Sequence, residues 1–154
     1  MAISWKRICC PIDFSEPARF ALRAAVDLCA VFGAELTLFH SYQLPGYTLP
    51  EGSVVASPKM LQELADQAEA HLAEWKAIAE GMGAKGVKTA KGVGEPALEV
   101  VEFAREGHFD LLVVGTHGRT GLRHALLGST AERVVRRALC PVLTVHPEGP
   151  APRT

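Results

Sequence analysis

Residues 110–130 read DLLVVGTHGRTGLRHALLGST: a strand, a glycine-rich loop and a helix start in succession. Residues 110–115 are apolar between a leading aspartate and a closing glycine, which predicts a short strand, the clearest in the sequence. The loop carries Gly115, Gly118, Gly121 and Gly128, and Ser129 or Thr130 begins a helix through Ala138. Glycine permits positive φ and lets a ligand approach the backbone without a Cβ in the way. The N–H groups and the macrodipole of a helix start attract anions. With Arg119, Arg123 and His124 in the same loop, the segment suits a phosphate-bearing ligand. The bland alternative is a strand-to-helix corner in which Ser129 or Thr130 caps the helix.

Outward from this segment, short apolar runs alternate with helical periodicity. Residues 7–12 (RICCPI), 36–40 (LTLFH), 86–91 (GVKTAK) and 141–146 (PVLTVH) read as further strands. Ser15 is a candidate N-cap for a helix with Pro17 in its first turn, Leu22, Ala25, Val26 and Cys29 on its apolar face, and Gly33 at its end. A helix from Ser57 or Pro58 to about Gly81 and another after Gly94 and Pro96 complete the set. Residues 41–56, with Pro45, Gly46, Pro50 and Gly52, read as a long loop of the kind used as a lid. Five strands alternating with four helices predict a single-domain α/β fold, a five-stranded parallel sheet flanked by helices in a Rossmann-like open sandwich. The domain is expected to span residues 1–146, with 147–154 a flexible Pro-rich tail. Ligands of such sheets sit beyond the carboxyl ends of the strands, where strand order reverses.

Composition narrows the classes. Apolar residues make up 48% and charged residues 21%, the mix of a chain with a packed core. Lys and Arg number 16 against 17 Asp and Glu, a balance that argues against a general nucleic-acid or polybasic membrane binder. That balance is uneven along the chain. Residues 115–137 carry five arginines against one acid, Glu132, for +4, so the rest sums to −5. Cys9, Cys10, Cys29 and Cys140 have neither zinc nor disulfide spacing, and the adjacent Cys9 and Cys10, inside an apolar run, read as buried hydrophobes, which points to a reducing compartment. Residues 1–6 hold no signal-type apolar stretch and no run is long enough to span a bilayer, so a soluble cytoplasmic protein is expected.

Two nucleotide signatures are missing. No GxxxxGK[ST] is present: residues 81–89 (GMGAKGVKT) come near it but precede a strand. No GxGxxG follows the first strand, where CPIDFSE stands. The spacing G-x2-G-x9-G-[ST] at Gly115, Gly118, Gly128 and Ser129 instead resembles the nucleotide-binding motif of the universal stress protein family. Residues 6–16 (KRICCPIDFSE) resemble that family's opening strand and Asp-x-Ser turn, 36–41 its second strand, and 141–145 (PVLTV) its closing one.

This resemblance, to the ATP-binding branch and the adenine nucleotide α-hydrolase-like fold, implies a nucleotide between the first and fourth strands. Pro11, Asp13 and Ser41 would flank adenine and ribose, and Val114, Gly115 and Gly118 would lie under the ribose and first phosphate. Gly128, Ser129, Thr130 and Ala131 would hold the phosphates. Ala131 lacks the hydroxyl some ATP-binding relatives carry there, which leaves AMP or ADP open beside ATP. Asp13 either contacts the nucleotide or its Mg²⁺, or closes the corner as an Asx-turn. His117 is the candidate for orienting water, but no base-plus-orienter pair is evident, so at most weak hydrolysis is expected. Members of the family commonly dimerise through their last strands, which implies a homodimer centred on Val142–Val145. Three classes follow: a nucleotide-dependent stress-response switch, a nucleotide-independent dimeric interaction module, and an adenylylating or hydrolysing enzyme. The adenylylating SGGxDS loop is missing.

Overall fold

A computed structural model describes residues 2–45, 47–49, 52–54, 56–117 and 127–147. Along them the chain runs β1 (Arg7–Pro11), α1 (Ala18–Phe32), β2 (Glu35–Tyr42), β3 (Tyr47–Leu49), β4 (Gly52–Val54), α2 (Pro58–Gly81), β5 (Lys88–Val93), α3 (Pro96–Glu106), β6 (Leu111–Gly115), α4 (Ser129–Arg137) and β7 (Val142–Val145). Five strands form one parallel sheet in the order β5-β2-β1-β6-β7. The chain first builds outward from β1 to β2 and β5, then crosses back to β6 and β7. The order therefore reverses between β1 and β6, the two most apolar runs.

Alternation within those runs explains why both faces are covered. Ile8 and Cys10 of β1, with Leu111 and Val113 of β6, face a cluster that takes in Leu22, Ala25 and Val26 of α1 and Leu72 and Trp75 of α2. Cys9, Leu112 and Val114 face the other way, onto Val100 and Ala104 of α3 and Ala131 and Val134 of α4. A sheet sandwiched in this manner has no room for polar side chains at its centre, hence the unbroken apolar spelling. Burial pushes the Cys9 thiol well above its ordinary range, Cys10 up to about 12 and Cys29 up to about 11. These three are packing residues, not nucleophiles.

Three expectations change. Residues 41–56 do not form one unstructured loop: β2 extends to Tyr42, and β3 and β4 pair as an antiparallel hairpin, Tyr47 opposite Val54. Tyr, Thr and Val favour that pairing, and Gly52 supplies the positive φ of 128° beside the turn. Ser15 does not cap α1. Its N–H and hydroxyl both turn back to Asp13 Oδ1, and the helix begins later, after Pro17. The third sheet strand lies two residues further along than its apolar residues suggest, because it pairs only with β2 and is largely exposed.

Glu95 caps α3, a role the sequence pattern does not single out. Its carboxylate accepts from the N–H groups of Ala97 (3.3 Å) and Leu98 (3.0 Å) and meets Arg133 of α4 at 3.2 Å. Burial opposes its charge, but those N–H groups and the Arg133 guanidinium outweigh burial and hold the carboxyl below the ordinary glutamate range. A carboxylate lowered on folding adds stability that is full above its unfolded titration and is lost as pH falls through the folded one. Glu95→Ala is expected to cost about 1 kcal/mol at neutral pH. The cost should shrink in acid, below the glutamate titration, as read from urea midpoints. An equal cost at both pH values would show that the charge is not what caps the helix.

Candidate functional site

Beyond the carboxyl ends of β1, β2 and β6 lies a cavity of about 560 Å³, the size of a small-molecule site. The corner after β1 forms one wall. Asp13 Oδ1 accepts from Ser15 N–H at 3.0 Å and from Ser15 Oγ at 2.5 Å, an Asx-turn. The intervening Phe14 sits at a φ of 64° and places its ring against His40, His71 and Trp75. His40 Nδ1 lies 2.8 Å from Ile12 O, tying the end of β2 to this corner.

Nine of the ten residues singled out from the sequence line this one cavity: Pro11, Asp13, Ser41, Val114, Gly115, Gly128, Ser129, Thr130 and Ala131. The tenth, Gly118, lies outside the described residues, as do Gly121, Arg119, Arg123 and His124. The nine do not all present what their residue type suggests. The Ser41 hydroxyl donates to Gly94 O at 2.9 Å, so its bond goes to the β5–α3 corner. Gly115 is not held in positive φ, and a Cβ there would find ordinary contacts near Ala21 and Pro17 of the α1 approach. Gly128 has a φ of −66°, open to any residue, yet a Cβ on it would stand 3.0 Å from Thr116 O. Space, not backbone conformation, is what asks for glycine at 128.

The anion-attracting end is the start of α4. Gly128 takes the N-cap position with no side-chain cap bond, so Ser129 and Thr130 open the helix instead of capping it. The Gly128 N–H goes to Thr116 O at 2.5 Å. The N–H groups of residues 129–131 lie in the first turn, where α-helical geometry provides no acceptor within the helix. Positive dipole and hydroxyls thus meet at a cavity lined elsewhere by apolar groups such as Phe39, Val100 and Val134 and by the polar residues Asp13, His40, Tyr42 and Gln43. A helix start of this kind attracts an anionic group.

The pattern of residue types does not mark Thr116. It is fully buried, and its hydroxyl lies 2.9 Å from His117 Nδ1. The one signal pointing to it is its place, one residue past the carboxyl end of the most apolar strand. His117 lines the cavity as well. Asp13 is the one carboxylate in the described lining, and its Oδ1 closes the Asx-turn with Ser15. Among the described residues no cluster of three or more His, Cys, Asp or Glu could hold a metal alone. Among the same residues no helix is long and apolar enough to cross a membrane.

Comparisons with known proteins give the family and agree with the fold. The model of the universal stress protein family matches residues 4–146. Universal stress protein MJ0531 of Methanocaldococcus jannaschii is 40% identical over 143 residues, which cover 92% of this chain and 82% of that protein. A crystal structure of a universal stress protein in complex with cAMP superposes with a TM-score of 0.74 at 26% identity, covering 95% of this chain and all of that one. The universal stress protein of Archaeoglobus fulgidus in complex with dAMP gives a TM-score of 0.66 at 25% identity, with 93% and 99% covered.

Proposed function

Since the chain belongs to the universal stress protein family, we propose that it binds an adenine nucleotide in this cavity and acts as a nucleotide-dependent regulatory switch in the stress response. The observation that carries the reading is the start of α4, where the N-cap Gly128 supplies no side-chain cap, lining a cavity at the point where strand order reverses. Two structural neighbours described as complexes with cAMP and dAMP support the choice of adenine. The ligand is ATP, with AMP or ADP as the nearest alternatives given Ala131, and Mg²⁺ arrives with the phosphates. Pro11, Asp13 and Ser41 flank the base and ribose, the last through its backbone. Val114 and Gly115, with Gly118 assigned by the motif alone, serve the ribose and first phosphate, and Gly128 to Ala131 hold the phosphates. Turnover is at most weak. The protein works in the cytoplasm as a homodimer.

The sheet edge supports the dimer reading. Strand β7 pairs with β6 on one side, and among the described residues no strand covers its other side. Leu143 on β7 and Leu139 just before it are exposed. Neither proline nor charge interrupts the four residues, so pairing with a second copy would satisfy both edges.

The test is to denature the purified protein and identify the released nucleotide, then titrate ATP, ADP, AMP and cAMP. Micromolar affinity, about −8 kcal/mol, is expected for at least one. Light scattering should report twice the chain mass at micromolar concentration. Release of no nucleotide together with no binding at millimolar ligand would favour the interaction-module reading. A purely monomeric mass would remove the edge pairing.

A further inference from the structure

Every polar atom of buried Thr116 is engaged. Its N–H donates to Val145 O at 3.0 Å and its carbonyl accepts the Gly128 N–H. Its hydroxyl oxygen lies 2.9 Å from His117 Nδ1, 3.2 Å from His146 Nδ1 and 3.4 Å from Val145 O. A hydroxyl has a single proton and two lone pairs. If the proton goes to one histidine, the other must donate from Nδ1 into the oxygen. If it goes to Val145, both must. The shorter contact is to His117. A ring that donates from Nδ1 leaves Nε2 as its other hydrogen-bonding atom, and His117 is one of the residues that line the cavity. His117 also follows directly on the carbonyl that anchors Gly128, which places it at the anionic end of the cavity.

We infer that Thr116 is a positioning residue that holds the His117 imidazole by Nδ1 so that Nε2 meets the nucleotide phosphate, which makes His117 a determinant of selectivity for phosphate-bearing ligands. This rests on the nucleotide reading above. Contact with the anion draws a proton onto Nε2, and the resulting charge-assisted bond is stronger than a neutral one. The other titratable groups on the described lining are Asp13 from the corner after β1 and His40 and Tyr42 from β2. His146 shares the Thr116 hydroxyl from the end of β7. The described lining residues of α1, α2, α3 and α4 carry no charge.

Cyclic AMP is the probe, because its phosphodiester keeps one charge across the neutral range, and adenosine is its phosphate-free counterpart. Calorimetry near pH 6.5, in buffers of different ionisation enthalpy, counts the protons taken up. Wild type is expected to take up a fraction of a proton with cAMP and none with adenosine. His117→Gln is expected to bind cAMP about tenfold more weakly, bind adenosine within a factor of about two, and lose the proton uptake. Thr116→Ser should keep wild-type behaviour and Thr116→Val should lose it. Thermal melting of both reports folding, and the serine variant carries the comparison if valine unfolds the chain. Nitrogen-15 shifts of the ligand-free protein should show the His117 proton on Nδ1. Equal losses of cAMP and adenosine binding in His117→Gln, unchanged proton uptake, or a free protein with the proton on Nε2 would each overturn the inference alone. A wild type that binds neither ligand would overturn it together with the nucleotide reading.

Discussion

Gly128→Asp is expected to weaken nucleotide binding by at least about 100-fold, close to 3 kcal/mol. Two effects add. A Cβ at this position stands 3.0 Å from the Thr116 carbonyl oxygen, so the start of α4 must shift by a few tenths of an ångström. The carboxylate then occupies the end of the helix dipole that phosphate would use. Aspartate is itself a favoured N-cap, so the helix should survive and the fold with it. Gly128→Ala separates the two effects: it keeps the steric demand, omits the charge, and should cost about tenfold or less. Raising the salt should narrow the gap between the two variants. Equal affinities for wild type and Gly128→Asp would place the phosphates elsewhere.

Trp75→Ala is expected to remove about 3–5 kcal/mol of stability. A domain of this kind has about 5–15 kcal/mol in total, so the variant would lose a large share of its stability. Trp75 is 5% exposed and belongs to the cluster that joins α2 to the sheet. Its ring meets Phe14 with centroids 6.0 Å apart, and the Arg19 guanidinium lies over it at 5.7 Å. Phe14 is held at positive φ beside Asp13, so loss of the indole should also loosen the corner that walls the cavity. Trp75→Phe fills part of the void and should cost clearly less. Urea unfolding reads both. A loss for Trp75→Ala below about 1 kcal/mol would mean that the surroundings collapse onto the gap.

The centre of the sheet is legible in local sequence. The runs 7–12 and 110–115 are apolar because both faces are covered, and that spelling survives in one dimension. The edges are less legible. Strand β5 pairs only with β2 and is largely exposed, so nothing in its residues marks its first pair, Thr37 with Lys88. The hairpin of β3 and β4 lies among prolines and glycines that read as a loop. In the site, residue types indicate which positions gather but not what each offers. Ser41 has the type of a ligand hydroxyl, yet it bonds Gly94, and the acid of Asp13 closes its own corner.

By itself the sequence determined the α/β alternation, the strands that lie innermost and the glycine-spaced segment that ends at a helix start. Each of these depends on residues near one another along the chain. The tertiary structure alone decided that Thr116 joins three otherwise separate pieces: His117 beside it, Gly128 twelve residues on, and Val145 with His146 at the end of the last strand. It also decided that the basic stretch around 115–137, hidden within a net charge of −1, contributes a helix end to a cavity that residues 11–13 also line. Contacts between residues 29 or 100 positions apart leave no periodic trace. They depend on how strands stack side by side, which no local pattern encodes.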